Sequence, residues 1–236
     1  MVKKTLGIIG GMGSTAASLF FENIIKEFPC KDDRDYIEIL LHNNTKIPDR
    51  TEAIINKKES PIKEILRSVN IFDSLKFDYV VMACVTSHFY ANEIQQNLKH
   101  SKLINILSTT SEYISLNHKE VRKVGILAST GAIETRMWQD ELSKYSIDSV
   151  ILPKEKQEEY IMNTIYGKNG LKEGNIGELN KIKIMKAVDI LIDQGSQAIL
   201  AGCSEIPMIL SKKNTDIPFF DAFKILRNKI YSYCYN

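Results

Sequence analysis

Short apolar runs alternate along this chain with longer stretches in which apolar residues recur at helical spacing. The runs predict buried strands, and the longer stretches predict amphipathic helices. The predicted strands are TLGIIGG (5–11), YIEILLHN (36–43) and FDYVVMAC (77–84), and the predicted helices cover 15–28, 59–75 and 91–100. Strands that alternate with helices in this way favour βαβ units and a parallel sheet, so the predicted fold class is α/β.

The second half of the chain repeats the first. KTLGIIGGMG resembles RKVGILASTG, with Gly7 matching Gly125 at an offset of 118 residues. Further on, VVMACVTS resembles ILAGCSEI, with Cys84 matching Cys203 at an offset of 119. Two landmarks at nearly the same offset indicate two similar three-layer α/β lobes with parallel sheets, which we expect to be related by a pseudo-twofold axis.

The repeat also predicts the lobe boundaries and the place of the active site. We expect residues 1–115 and about 216–236 to form the N-terminal lobe, and residues 116–215 to form the C-terminal lobe. Both Cys84 and Cys203 end apolar runs that are predicted strands. Open parallel sheets bind ligands at the carboxyl ends of their strands. We therefore expect an active site in the cleft between the lobes, with one thiol on each side.

Composition and charge exclude several classes of partner. The chain is 44% hydrophobic and 25% charged, which are ordinary globular proportions. Its net charge is +2 and its basic residues are scattered, which gives no electrostatic case for a nucleic-acid partner. No run approaches the roughly 20 apolar residues of a membrane-spanning helix, and the apolar stretch near the start is too short for a signal peptide. We therefore expect a cytoplasmic protein with no membrane partner.

The cysteines suggest acid/base chemistry rather than a metal or disulfide site. The four cysteines, at 30, 84, 203 and 234, form no C-x-x-C pair and show no zinc-ligand or disulfide spacing. Two thiols across one cleft suit removal of a proton from one face of a tetrahedral carbon and return of a proton to the other. The ordinary thiol pKa, about 8.5, lets one cysteine be thiolate while the other stays protonated.

Each predicted strand-to-helix turn also supplies donors. Backbone N–H groups after each cysteine, together with the dipole of the following helix, are expected to favour a thiolate and to hold a substrate carboxylate. Thr86, Ser87 and Ser204 add hydroxyl groups at the same turns.

Five segments in order resemble the cofactor-independent aspartate/glutamate racemase family, which includes hydantoin racemases and related decarboxylases and isomerases. The segments are GIIGGMGSTA, HNNTKIPDRT, MACVTSH, VGILASTG and AGCSEIP, and they cover nearly the whole chain. The resemblance implies an isomerase of D-amino acid metabolism that needs no pyridoxal cofactor and often works as a homodimer. It assigns Cys84 and Cys203 as the catalytic pair. Retention of both thiols favours racemisation over decarboxylation.

The resemblance also implies a substrate class and its contacts. Arg50 in IPDRT is expected to grip a side-chain carboxylate, helped by Lys172, although Lys168 in the same segment is an alternative. These contacts favour aspartate and glutamate. The other expected substrate contacts are Met12, Ser129 and the residues that follow the two cysteines (Val85, Thr86, Ser87 and Ser204). His88 and Glu205 are expected to support the site from behind.

One departure from the family pattern bears on the substrate. Val85 stands where the family usually has Asn, and its side chain can neither donate nor accept a hydrogen bond. A broad-spectrum racemase with a non-acidic substrate therefore stays open.

Two further interpretations compete. Gly11, Gly13 and Ala16 match the G-x-G-x-x-A dinucleotide fingerprint, but the second strand ends in LLHNN and lacks the acidic residue that would bind a ribose. The other alternative is a two-lobed amino-acid-binding paralogue without activity.

Overall fold

A computed structural model of the chain describes residues 3–235 and divides into two compact α/β units. The first unit runs up to Ile106 and resumes at Leu226, and the second runs from Leu107 to Ile225. Each unit contains a four-stranded sheet in which every paired strand is parallel. The prediction of an α/β fold with two parallel-sheet lobes is confirmed.

The first unit holds four strands and its own helices. Its strands are β1 (Leu6–Gly10), β2 (Ile39–Asn43), β3 (Tyr79–Met82) and β4 (Lys102–Leu103), in the sheet order β2-β1-β3-β4. Its helices are α1 (Ser14–Glu27), α2 (Arg50–Ile55), α3 (Ile62–Ser74) and α4 (Ala91–Asn97), with 3-10 turns at Asp33–Asp35 and Thr86–Tyr90. Helix α5 (Ile106–Asn117) then leads into the second unit.

The second unit repeats this topology with more short helices. Its strands are β5 (Lys123–Leu127), β6 (Asp148–Val150), β7 (Ala198–Ala201) and β8 (Phe219–Asp221), in the sheet order β6-β5-β7-β8. Its helices are α6 (Thr130–Glu134), α7 (Met137–Ser143), α8 (Lys154–Lys156), α9 (Asn163–Tyr166), α10 (Glu178–Asp193) and α11 (Ala222–Cys234), the last of which ends in the first unit. A π-helical turn spans Gln157–Met162, and 3-10 turns span Leu171–Glu173, Ile206–Met208 and Lys212–Asn214.

The unit boundaries lie about ten residues from the predicted ones. The prediction placed residues 216–236 in the N-terminal lobe, but β8 pairs with β7 and so belongs to the second sheet. The chain passes between the units inside helices α5 and α11 rather than in loops, and hydrophobic periodicity does not mark a boundary that falls inside a helix.

Polar and aromatic contacts anchor the end of the C-terminal helix within the first unit. The Arg227 guanidinium donates two hydrogen bonds of 2.7 Å to the Glu27 carboxylate of α1. The Lys4 N–H donates to the Cys234 carbonyl at 3.1 Å. Tyr79 and Tyr233 stack with ring centroids 5.3 Å apart. These contacts explain why the last turns of the chain return to the N-terminal sheet.

The repeated glycines allow a helix to pack closely on the strand beside it in each unit. A Cβ on Gly7 would lie 2.6 Å from the Phe72 ring of α3, and a Cβ on Gly125 would lie 3.0 Å from Leu191 Cβ of α10. Both glycines lie on a strand that pairs with two neighbours, β1 or β5. The sequence match between Gly7 and Gly125 therefore reflects the same packing constraint in the two units.

We predict that Gly7→Ala destabilises the protein by about 1–3 kcal/mol, because the added methyl overpacks against Phe72. The free energy of unfolding, measured by urea titration, tests this. In a Phe72→Ala background the space is open, and Gly7→Ala should then cost little. An equal cost in both backgrounds would show that the contact with Phe72 is not the cause.

Candidate active site

Cys84 lies in the turn that follows strand β3. The strand ends at Met82, and the backbone is already helical at Val85, before the 3-10 turn Thr86–Tyr90 and helix α4. Cys84 and Val85 are both buried. The fully buried Ser87 hydroxyl donates to the Cys84 carbonyl at 2.7 Å. Ser87 was expected to donate to substrate, but here its proton is used to hold the turn.

His88 supports the same turn from behind. Its Nδ1 lies 3.1 Å from the Cys84 carbonyl and 3.2 Å from the Val85 carbonyl. Its Nε2 lies 3.4 Å from the backbone N–H of Ile106, which can only donate. Nε2 is therefore the acceptor and Nδ1 carries the proton. Burial lowers the pKa of His88 to about 4, so this ring is neutral near pH 7.

Arg50 joins two loops of the first unit. It is the first residue of α2, where the Asp49 side chain caps the helix by accepting from the Glu52 N–H. Its guanidinium donates to the Met12 carbonyl at 3.1 Å and to the Pro48 carbonyl at 3.2 Å. Arg50 is 5% exposed, so it is not a surface residue. The loops after β1 and β2 are thereby held together around one buried cation.

The loop after β1 explains Gly11 of the dinucleotide alternative. Gly11 has a φ of +83°, and a Cβ there would lie 2.2 Å from the backbone of Asn44. Asn44 is itself buried and donates to the Glu64 carbonyl of α3 at 2.8 Å. Close backbone approach between the first two loops therefore requires glycine, independently of any nucleotide.

Cys203 occupies the matching turn of the second unit. It follows strand β7 at an interval of two residues, as Cys84 follows β3. The preceding Gly202 packs against Trp138 of α7, where a Cβ would lie 2.4 Å from the indole nitrogen. That nitrogen donates to the Gly202 carbonyl at 3.2 Å. Trp138 is fully buried and fixes the backbone that carries the thiol.

A buried carboxylate lies directly beside Cys203. Glu205 Oε2 accepts from the Cys203 thiol at 3.0 Å and from the Ser204 hydroxyl at 2.8 Å. Its Oε1 accepts from Lys172 Nζ at 3.1 Å. Burial acts to raise the pKa of Glu205, but the Lys172 charge and the three hydrogen bonds outweigh it and lower the pKa. Glu205 is therefore a carboxylate near neutral pH.

The segment that carries Lys172 is a hydrogen-bonded turn. Lys172 lies in the 3-10 turn Leu171–Glu173, which is anchored by the fully buried Leu171. Its Nζ also lies 5.0 Å from the centre of the Tyr166 ring. Lys172 was expected to bind a substrate carboxylate, and here it pairs with Glu205. The alternative, Lys168, is exposed.

Ser129 and Gln157 organise a second loop of the same unit. The Ser129 hydroxyl caps α6 by accepting from the Ala132 N–H, and Ser129 is buried. Gln157, in the π-helical turn, donates to the Ala128 carbonyl at 2.8 Å. The loop after β5 therefore takes its shape from both residues.

Residues 3–235 contain no cluster of three or more His, Cys, Asp or Glu side chains that could hold a metal ion. None of the helices in that range is long and apolar enough to cross a membrane.

Comparison with known proteins now gives the chain a family. Residues 9–229 match the Asp/Glu/hydantoin racemase family. The chain belongs to this family. It resembles the Picrophilus torridus aspartate racemase, with 25% identity, a TM-score of 0.78, and coverage of 97% of this chain and 93% of that one. The glutamate racemase from Francisella tularensis shares the fold, with 17% identity, a TM-score of 0.69, and coverage of 98% and 80% of the two chains.

A curated sequence relative extends the comparison. The broad specificity amino-acid racemase RacX of Bacillus subtilis is 21% identical over 221 residues, which cover 92% of each protein. Family membership and the fold shared with racemases of solved structure support an isomerase activity for the chain.

Two residues that hold loops of the candidate site were not predicted from the sequence. Trp138 was missed, although it is the only tryptophan of the chain. Gln157 was missed as well. Both act on backbone carbonyls far away in sequence, at Gly202 and Ala128, and periodicity carries no signal for such contacts.

We predict that His88 makes stability fall as the pH is lowered from 7 to 4. Its ordinary pKa of 6.5 applies in the unfolded chain and a value of about 4 in the folded one, so only the unfolded state takes up the proton in this window. The loss should approach about 3 kcal/mol at pH 4. Urea unfolding between pH 7 and pH 4 measures it. His88→Gln should remove this part of the pH dependence, and the exposed His100→Gln should keep it. Identical profiles for the two variants would contradict the prediction.

Proposed function

We propose that the chain is a cofactor-independent amino-acid racemase that uses Cys84 and Cys203 as an acid/base pair, with aspartate or glutamate as its substrate. The observation that carries the proposal is the matched position of the two thiols. Each is buried and begins the turn after the third strand of a sheet with the same order. Carboxyl ends of parallel strands are where open α/β sheets bind ligands.

The reaction transfers protons without any net change in the enzyme's protonation. One thiolate takes the α-proton, so the C–H bond breaks, an S–H bond forms, and the electron pair stays on the α-carbon. The other thiol then gives its proton to the opposite face and becomes the thiolate. Because no pyridoxal delocalises the charge, preorganised donors and exclusion of water must stabilise the carbanion.

The backbone after each cysteine provides suitable donors for the substrate α-carboxylate. The backbone is helical from Val85 through the 3-10 turn Thr86–Tyr90, and the N–H groups at the start of a helical segment point toward the position of an anion. The corresponding donors of the second unit follow Cys203. The Thr86 and Ser129 side chains are further proposed contacts. Met12 joins them because its carbonyl is held by Arg50.

Recognition of an acidic side chain is assigned to Arg50 and Lys172. Arg50 is a buried guanidinium that already donates to two carbonyl oxygens, so its position is fixed before substrate arrives. Lys172 is paired with Glu205, and a substrate carboxylate would compete for this partner. The 25% identity with the Picrophilus torridus aspartate racemase supports an acidic substrate.

Val85 supports a second candidate, a racemase of wider specificity. This side chain is 2% exposed and apolar, so it adds no polar selection at the turn. The resemblance to the broad specificity racemase of Bacillus subtilis agrees with this candidate. A two-lobed binding protein without activity is the remaining alternative.

Cellular context is part of the proposal. Cys84 and Cys203 are free thiols, and an acid/base role requires that they stay reduced. We therefore place the protein in the cytoplasm, where disulfides are rare. We propose a homodimer because members of the family often form one.

A screen for solvent deuterium at the α-carbon, over both enantiomers of the common amino acids, tests the activity and its substrate range. We predict that Cys84→Ser and Cys203→Ser each abolish racemisation, and that each retains exchange from one enantiomer only, because one base remains. Cys30→Ser is the control and should racemise normally, since Cys30 is a partly exposed thiol outside both turns. Full racemisation by either catalytic variant would refute the two-thiol mechanism. Binding without any exchange would favour the inactive binder.

We predict that Arg50→Ala raises KM for aspartate by roughly 10- to 100-fold, because a charge-assisted hydrogen bond contributes about 1.5–3 kcal/mol. Asparagine is the matched neutral substrate, and its KM should change far less. Steady-state racemisation of the two amino acids measures the difference. An equal rise in KM for both amino acids would show that Arg50 acts only by holding the loops at Met12 and Pro48.

A further inference from the structure

The group of side chains around Cys203 differs in charge from the group around Cys84. The Cys84 carbonyl is held by Ser87 and His88, which are neutral near pH 7. The Cys203 thiol instead donates to Glu205, which is itself paired with Lys172. Two turns with the same topology therefore carry different electrostatics.

The geometry allows Glu205 to act on the thiol directly. Its carboxylate is 3% exposed and receives the S–H proton at 3.0 Å. Ionisation of Cys203 would remove that hydrogen-bond donor and place two negative charges in contact at a buried site. Like charges at this separation disfavour the second ionisation, more strongly where water is excluded.

Lys172 opposes this effect from the other side of the carboxylate. Its ammonium donates to Oε1 at 3.1 Å while the thiol contacts Oε2. The ionisable groups of this cluster include Cys203, Glu205, Lys172 and Tyr166, whose ring centre lies 5.0 Å from Lys172 Nζ. Removing the lysine charge leaves the carboxylate less neutralised, which should make the thiol harder to ionise.

We propose that Glu205 and Lys172 together set the ionisation of the Cys203 thiol. Glu205 keeps the thiol protonated and makes its thiolate a stronger base, and Lys172 limits that effect. Glu205 is a positioning residue in this assignment, since it acts through the thiol. The consequence for turnover rests on the proposed racemisation, whereas the ionisation of the thiol does not.

The proposal deepens the racemase mechanism in one respect. The two thiols would not be equivalent in the resting enzyme, because Cys203 donates to a buried carboxylate at 3.0 Å whereas the Cys84 turn is held by Ser87 and a neutral His88. Cys203 would then hold the proton when substrate arrives. A substrate carboxylate that drew Lys172 away from Glu205 would also make the Cys203 thiol harder to ionise. Recognition of an acidic side chain would thereby be linked to the proton-transfer step.

The test measures how the alkylation rate of each thiol depends on pH. The full-length protein is treated with iodoacetamide between pH 5 and pH 11, digested with trypsin, and quantified by mass spectrometry. Peptide 187–212 contains Cys203 as its only cysteine, and peptide 77–99 contains Cys84 as its only cysteine. Cys84 therefore serves as an internal reference in every sample. The variants are Glu205→Gln and Lys172→Gln, with the exposed Lys168→Gln as the matched control.

Glu205→Gln should lower the alkylation midpoint of Cys203 by about one pH unit or more, because a neutral amide replaces a contacting carboxylate. Lys172→Gln should raise it. Lys168→Gln should leave it unchanged, and the midpoint of Cys84 should stay constant throughout. If Glu205→Gln fails to fold, Lys172→Gln still tests the proposal, because Lys172 is partly exposed.

Unchanged midpoints for Cys203, or equal shifts for Cys84, would overturn the proposal. Racemisation assays on the same variants distinguish its failure from failure of the proposed function. If the midpoints shift as predicted but the protein racemises no amino acid, the effect of Glu205 and Lys172 on Cys203 is supported and the proposed racemase function is refuted. If racemisation is normal and the midpoints do not shift, only the proposed effect of Glu205 and Lys172 on Cys203 is refuted.

Discussion

Both candidate thiols depend on one constraint: a buried parallel strand must turn into a helix without leaving its last carbonyl groups unpaired. Backbone carbonyls in a dry turn need donors, and an unsatisfied one costs about 1–3 kcal/mol. In the first unit the Cys84 carbonyl receives the Ser87 hydroxyl and His88 Nδ1. In the second unit the Gly202 carbonyl receives the Trp138 indole. The side chains that satisfy each turn therefore also fix the position of its thiol.

The same topology thus carries different chemistry in its two copies. A neutral histidine supports one turn, and a tryptophan supports the other, which also carries the ion pair between the buried Glu205 and the partly exposed Lys172. Such asymmetry is compatible with racemisation, because two enantiomers have equal free energy in water and kcat/KM must be equal in the two directions. Unequal thiols change which protonation state predominates in the free enzyme and which enantiomer that state binds. The equilibrium between the two enantiomers is unaffected.

The sequence predicted features that repeat, and it missed contacts that join distant positions. Apolar runs and the match of Gly7 with Gly125 were enough to predict two parallel-sheet lobes, because strand burial and helix packing leave a local pattern. The candidate thiols Cys84 and Cys203 were predicted from nearly the same offset between the two halves. Trp138 and the pairing of Lys172 with Glu205 left no such pattern, because each joins residues more than 30 positions apart. The boundary after β7 was misplaced since the crossing lies inside α11.

Burial would give the proposed substrate contacts their selectivity. Arg50 is 5% exposed and Glu205 is 3% exposed, so a charge that enters beside either one loses most of its water. Desolvation makes a well-placed opposite charge favourable and an unpaired one costly. The Lys172–Glu205 pair neutralises its own charges, so a neutral substrate of the proposed racemase would leave no unpaired ion beside it. In the proposed racemase, an acidic substrate that binds Lys172 would have to separate it from Glu205, and the cost of that separation would offset part of what the substrate carboxylate gains.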